Sequence, residues 1–505
     1  MRQAARLTRT PVILAAITST MTLLIASIGG VLSATAEPAQ VGIGVFHTFF
    51  SLAFAVVSWV GPAVAAATIA SERSGRTWEA LLLTGLSAAS IARGKFMAAL
   101  TYVGLYIVML APVGGLSFLF GGITPAEVVL AFLLLMLIAA LSVAFGLAVS
   151  SKLGSPSVSI LVTLLVAVPL SIVAYTAGGV GLSFVAREQW PGVAGGPPVW
   201  LPTAYVRADF GLTYLVFLVL FPLVATAIPA WLFYEVTIAN MGASGDDRST
   251  RLRLWLLVSG PLLGMSAVLA ASTLKRADWC FAGQIICWMF CLFAAFLVAG
   301  EPLGPSLRVE THWARAHASK LRRALGPGIG RAAVAAALLA VSCQVVVTAC
   351  GLLLAKTRDE RLGLLGFGGY ALGFSIFCIG FAAWSRSRAN AGVVPRVLLT
   401  SVMLVAVLGP YIAMAIGGLF GEDTLRMRLV AAPSPAFGFT VYDRFRSPGG
   451  DAELYGLAGA GAALGWGLIG LGLLALGAAR AKDRWQRERN PGSAAFATES
   501  AAAKA

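Results

Sequence analysis

Acidic, basic, hydroxyl and aromatic side chains crowd into one stretch of an otherwise apolar chain. Glu72, Arg73, Arg76, Thr77, Trp78 and Glu79 stand together, Leu81, Leu82 and Leu83 follow, and Arg93, Gly94 and Lys95 close the stretch. Neither histidine nor cysteine accompanies them. The chemistry on offer is therefore ion pairing and apolar contact, not nucleophilic attack or metal ligation. A connector between two membrane helices needs only a few residues, and about 25 of mixed character point to a docking surface.

Other reactive side chains do not gather. His312 and His317 lie five apart in the basic stretch 308–331, off any shared helical face. With Trp313, Arg315, Lys320, Arg322 and Arg323 they read as a basic amphipathic surface helix. His47 stands alone at the start of an apolar run and reads as interfacial. All six cysteines lie in apolar runs, and Cys287 and Cys291, one turn apart, have no histidine or carboxylate beside them. They read as small packing residues, with no metal site and no disulfide framework. A membrane enzyme would need acids, bases or ligands collected at one face, and the chain offers none.

The mixed stretch divides into local elements. Gly75 would allow a sharp turn. Thr77 would cap a short helix through its hydroxyl. Trp78, Leu81 and Leu82 then share one face, with Glu79 off it. Gly85 ends the turn, and Ser87 caps the next helix, which carries Arg93 and Lys95. The expected product is a short amphipathic helix on the membrane surface, resting on headgroups or fitting a cleft in a soluble partner.

The rest of the chain supplies the frame. Of 505 residues 58% are hydrophobic and only 12% charged, against roughly 25% charged in a soluble domain, and mean hydropathy is +0.85. Apolar segments near 11–34, 44–70, 94–120, 126–150, 156–183, 209–235, 253–272, 279–300, 332–355, 362–384, 397–418 and 454–479 each approach the roughly 20 residues that cross a bilayer. The expected fold is an all-α polytopic membrane protein of about twelve transmembrane helices. The net charge of +15 is read as basic loops facing anionic lipid; no base-reading motif points to nucleic acid. With the N-terminus in the cytoplasm, most of the 37 Lys and Arg residues fall on that side, which places both termini there. The first apolar run is long enough to span, so it reads as an uncleaved helix. Glu127, Asp209 and Glu235 lie near segment ends, and Gln284 and Gln344 are the polar interior exceptions. The absence of a mid-span carboxylate argues against coupling to an ion gradient. Gly461 and Gly465 form a step that marks close helix packing.

The spans fall into two sets of six, which reads as a repeat, with independent insertions as the alternative. The expected organisation is 1–240, 241–482 and a disordered cytoplasmic tail, 483–505. Each half has a long cytoplasmic loop after its second span. Each also has an outer loop with a proline-aromatic element before its sixth, Trp200 to Tyr205 and Pro433 to Phe437.

Glu72, Arg73, Gly75, Thr77, Glu79, Leu82, Leu83 and Thr84, followed by Gly94 and Lys95, resemble the signature of ABC-2-type export permeases, the membrane subunits of ATP-driven exporters. The resemblance covers 1–240, where six spans start in the cytoplasm. It implies that the element after the second span, Trp78 included, couples to an ATPase subunit. It further implies two copies of that subunit and an inner-membrane location. Gly85-Leu86 stands where the family often has proline, and Ala89 to Ala92 where an acidic residue is common. In the second half only Glu301, Arg308 and Glu310 remain as a candidate second coupling loop. The chain has no Gly-x-x-x-x-Gly-Lys-Ser/Thr phosphate loop, so ATP and Mg are expected on the partner and no cofactor on this chain. Whether one chain supplies both membrane halves or a homodimer forms stays open.

The alternative is a major-facilitator-type secondary transporter, whose loop between spans two and three carries a pattern close to Glu72-Arg73-Ser74-Gly75-Arg76. The intervening stretch from Thr77 to Arg93 and a short joint between spans six and seven count against it.

Overall fold

The computed structural model describes residues 9–34, 36–75, 77–190, 201–242, 245–420, 428–447 and 451–489. All regular structure among them is helical. Twelve helices are long and apolar enough to cross a membrane, and the protein is an all-α polytopic membrane protein. Helices dominate because hydrocarbon offers no hydrogen-bond partners, so each backbone N–H and C=O must be satisfied within its own segment. The chain divides into two compact units, Met1–Gly242 and Ala243–Ala505.

In the first unit the spans are Ala15–Ser33, Pro38–Ser74, Ala88–Phe118, Pro125–Lys152, Pro156–Gln189 and Leu212–Met241. Span 4 is the hub and packs on spans 2, 3, 5 and 6. Its start is fixed by a capping box, in which the Thr124 hydroxyl accepts from the Glu127 N–H and the Glu127 carboxylate accepts from the Thr124 N–H. Glu127 also pairs with Arg207, 3.3 Å away, on the short helix Leu201–Arg207 that precedes span 6. Span 4 approaches span 2 most closely where a Cβ at Gly146 would meet the Pro62 carbonyl. Trp200, the opening residue of the first proline-aromatic element, lies outside the described residues.

In the second unit the spans are Ser249–Leu274, Asp278–Val298, Ile329–Leu354, Arg358–Arg388, Val393–Gly417 and Ala452–Arg489. The fourth helix again begins with a capping box, Thr357 with Glu360, and a short helix, Phe437–Arg446, again precedes the last span. The second proline-aromatic element leads into it: the Ser434 hydroxyl donates to the Val407 carbonyl (2.8 Å), and the Trp466 indole donates to the Pro433 carbonyl (2.9 Å). Gln284 and Gln344 tie spans 8, 9 and 10 together. The Gln284 amide donates to the Thr348 hydroxyl (2.7 Å) and the Leu364 carbonyl (3.0 Å), and the Gln344 amide donates to the Gln284 carbonyl (3.0 Å).

Spans 10 and 12 make the most extensive helix pair. Their seam is backbone against backbone. A Cβ at Gly373 would meet the Ala463 carbonyl, one at Gly380 the Gly470 carbonyl, and one at Gly477 the Trp384 main chain. Ala463, Gly470 and Gly477 recur every seventh residue, the period of a left-handed, near-parallel helix pair. The step expected to mark close packing, Gly461 and Gly465, is not on this seam, since a Cβ at either would meet nothing. A glycine pair four apart names one stripe of a helix, and here the packed stripe is the one beside it.

The tail also departs from expectation. Residues 483–489 continue the helix Ala452–Arg489 rather than starting a disordered segment. Arg484 pairs with Glu488 at i,i+4 (3.0 Å), the Trp485 indole donates to the Pro305 carbonyl (3.2 Å), and Arg489 pairs with Glu310 (2.9 Å). These contacts prolong the last span, and 490–505 lie outside the described residues.

Overpacking the seam should be costly. Gly470→Val is expected to lower unfolding free energy by about 2–3 kcal/mol, while Gly461→Val should change it by less than about 0.5 kcal/mol. Denaturant titration of the purified protein in detergent checks the pair.

Candidate functional site

Span 2 ends at Ser74, and the chain folds over into a seven-residue helix, Thr77–Leu83. Gly75 sits at φ −82°, a conformation open to any residue, so the sharp turn does not require glycine. Thr77 is the first residue of the helix rather than its cap, and its hydroxyl donates to the Glu72 carbonyl (3.3 Å). Two expectations hold. Gly85 adopts a φ of +74° and ends the turn, and the Ser87 hydroxyl accepts from the Ser90 N–H (3.2 Å) to start span 3.

The elbow so formed is braced on three sides. The Lys95 ammonium on span 3 pairs with the Glu72 carboxylate on span 2. Arg73 lies over the Trp78 ring at 5.4 Å, and its guanidinium donates to the Asn240 carbonyl (3.4 Å) at the end of span 6. The Asn240 amide donates to the Ser151 hydroxyl on span 4 (3.0 Å). Next to it, the Ser150 hydroxyl accepts from the main-chain N–H of Ile69 and Ala70 (3.1 and 3.0 Å). The ends of spans 2, 3, 4 and 6 are thus stitched into one layer beneath the elbow.

Trp78 and Leu81 pack down against the core of the unit, while Leu83 is 88% and Leu86 53% exposed. The helix therefore buries one apolar edge and offers another. Of the residues expected to couple, the structure brings together Glu72, Arg73, Trp78 and Lys95. Glu79 and Leu82 lie on the helix, with side chains outside the described set, and Arg76 is not described. A Cβ at Gly94 would meet nothing, and no contact in the structure explains glycine there.

The same unit holds a feature the sequence did not disclose, a cavity of about 530 Å³ among spans 2, 4, 5 and 6, within the roughly 300–1,000 Å³ typical of small-molecule sites. Span 2 contributes His47, Ser51, Phe54 and Ser58, all on one helical face, over about 16 Å of axial rise. The Ser51 and Tyr175 hydroxyls are 2.8 Å apart, and the Trp59 indole donates to the Ser171 hydroxyl (3.0 Å). Tyr175 opens a π-helical turn, Tyr175–Val180, an irregularity common at functional sites. Among the described residues, no Asp, Glu, Lys or Arg lines the cavity. His47 is buried inside span 2, against Phe46. The legible signal was the His47, Ser51, Ser58 periodicity. It lines a cavity because spans 4, 5 and 6 close around that face while span 5 packs on span 2 rather than on span 6.

The corresponding residues of the second unit have internal partners. Glu301 pairs with Arg253 (3.3 Å) and accepts from the Ser249 hydroxyl (2.7 Å). Burial pushes its carboxyl up, and the Arg253 guanidinium and the Ser249 hydroxyl oppose that rise. Arg308 pairs with Asp246 (3.1 Å) and Glu310 with Arg489. Arg308 and Glu310 share the helix Leu307–Arg315, and Glu301 is turned toward spans 7 and 10. All six cysteines are free, and no group of three metal-ligating side chains occurs among the described residues.

The Glu72–Lys95 pair is about three-quarters shielded on each partner. A double-mutant cycle of Glu72→Gln and Lys95→Gln, read by thermal unfolding, is expected to give a coupling energy of about 1 kcal/mol. The exposed Arg308–Asp246 pair should give less than about 0.5 kcal/mol. Comparison with protein-family models, with curated proteins and with solved structures returned no match to this chain.

Proposed function

We propose that this chain is the membrane-spanning permease subunit of an ABC exporter of the ABC-2 type, coupling ATP hydrolysis by a separate ATPase subunit to export. The observation that carries the reading is the elbow. It presents exposed Leu83 and Leu86 while its other edge is anchored to spans 2, 3, 4 and 6. A contact at Leu83 would push on the ends of four spans at once. In this reading both termini lie in the cytoplasm of an inner-membrane protein, and ATP and Mg bind the partner.

The cavity suits a neutral or amphiphilic cargo. Its walls are largely apolar, its hydroxyls are grouped, and it has no fixed charge to hold an ion. Binding-energy changes at the elbow would reach it along span 2, which lines the cavity and ends at Glu72 and Arg73. A secondary transporter of the major facilitator type would share twelve spans, and the stretch from Thr77 to Arg93 between spans 2 and 3 counts against it.

Leu83→Asp leaves the buried edge intact and should reduce ATPase co-purification and transport-stimulated hydrolysis at least tenfold, while yield and unfolding temperature stay unchanged. Wild-type stimulation in that variant would refute the coupling role. Proton-driven uptake into vesicles free of ATPase would favour the secondary transporter instead.

A further inference from the structure

The second unit contains a cavity of about 590 Å³ where the last span leaves the apolar zone. Span 12 is apolar up to Ala479 and basic from Arg480 onward, and the cavity is lined on that side by Ala478, Ala481, Lys482 and Trp485. On the other side lie Trp313 on the helix Leu307–Arg315, Arg323 on the short helix Lys320–Ala324, and Arg331 in the first turn of span 9. The site therefore sits at the boundary between hydrocarbon and water, the level at which tryptophan and basic residues meet headgroups.

Its charge is one-sided. Three cations line it, Arg323, Arg331 and Lys482, against one acid, Glu310. Glu310 is already neutralised by Arg489, 2.9 Å away. Arg331 is held in place by donating to the Arg323 carbonyl (2.7 Å) and by the Trp313 ring, 5.9 Å from its guanidinium. The Arg323 guanidinium and the Lys482 ammonium have no ion pair or hydrogen bond among the described residues. The walls are built closely: a Cβ at Gly304 would meet the Trp485 ring and one at Gly326 the Trp313 ring. Leu307 and Leu321 stand exposed on the two flanking helices, as they would if that surface faced lipid.

We propose that this cavity binds the phosphate-bearing headgroup of an anionic phospholipid. Arg323 and Lys482 supply the free charge, Arg331 a fixed third donor, and Trp313 and Trp485 the walls. A free phosphate would satisfy the same cations but would leave the apolar side at Ala478 and the exposed leucines without a role.

The test uses the full chain in nanodiscs containing phosphatidylglycerol and phosphatidylcholine, with bound lipid counted by native mass spectrometry. Wild-type protein should retain phosphatidylglycerol preferentially, and Arg323→Gln with Lys482→Gln should weaken that retention on the order of 30-fold. Both side chains are exposed and have no partner among the described residues to lose, and an unchanged unfolding temperature verifies the fold. Arg315→Gln, at the end of the neighbouring helix Leu307–Arg315 and outside the lining, should retain the lipid as wild type does; the basic stretch read as one helix is two, Leu307–Arg315 and Lys320–Ala324. Equal retention of the two lipids, an unaltered double variant, or an equal loss in Arg315→Gln would overturn the proposal. Complete displacement by millimolar inorganic phosphate would assign the site to a soluble anion. If the double variant lost a co-purifying protein while keeping its lipid, the cavity would be a protein-docking site instead.

Discussion

Hydrocarbon does not solvate polar groups, and a buried backbone or side-chain dipole left without a partner there costs several kcal/mol. This chain meets that constraint by keeping its ion pairs at the ends of its spans. Glu72–Lys95, Arg207–Glu127, Arg253–Glu301 and Arg446–Asp278 all join residues beyond a helix end or within about two turns of one. At Asp278 the pairing reaches a third group: burial, and then the carboxylate itself, push the neighbouring Tyr442 hydroxyl up to about 12. Farther from the span ends, neutral groups interact among the described residues, such as Gln284 with Thr348 and Ser51 with Tyr175. Helix association is then left to close packing, and the backbone contacts at Gly146, Gly380 and Gly470 fall on the most extensive helix pairs.

The two units satisfy the same constraint with the same order of elements. Each has six spans, a surface segment after the second, a Thr-x-x-Glu capping box opening the fourth and a short helix before the sixth. The packing differs. In the first unit the hub span packs chiefly on span 2, which also meets span 5 around the cavity. In the second the hub packs chiefly on span 12 through the seven-residue glycine seam. A single layout can thus leave open space in one unit and close it in the other, according to where small residues allow helices to touch.

What the sequence made legible follows from which rules act locally. Twelve spans were readable because crossing length is a property of composition, and Gly85 and Ser87 because a positive φ and a cap depend on neighbours within three residues. Thr77 was misread because a hydroxyl near a helix start can accept from the helix or donate behind it, and only the path of span 2 decides. The 483–489 segment was misread as tail because its order comes from Glu310 and Pro305, nearly 180 residues away. His47 and the cavity were hidden for the same reason: a helical stripe of serine and histidine names a face without naming what lies opposite it.

The surface segments after spans 2 and 8 occupy the same place in their units but carry opposite chemistry. The first is short, holds its charges inward in Glu72–Lys95 and Arg73–Trp78, and shows leucine outward. The second has its acids paired, Glu301 with Arg253 and Glu310 with Arg489, and leaves Arg323 facing an open cavity beside Lys482 of span 12. An apolar knob gains most from a cleft that excludes water, because its contribution scales with the area removed from water. A cluster of unpaired cations gains most from a dense layer of phosphates, because each charge adds to the attraction and none has to be desolvated deeply. Under the two proposals above, the first segment is suited to transmit force from a partner and the second to hold its unit to lipid.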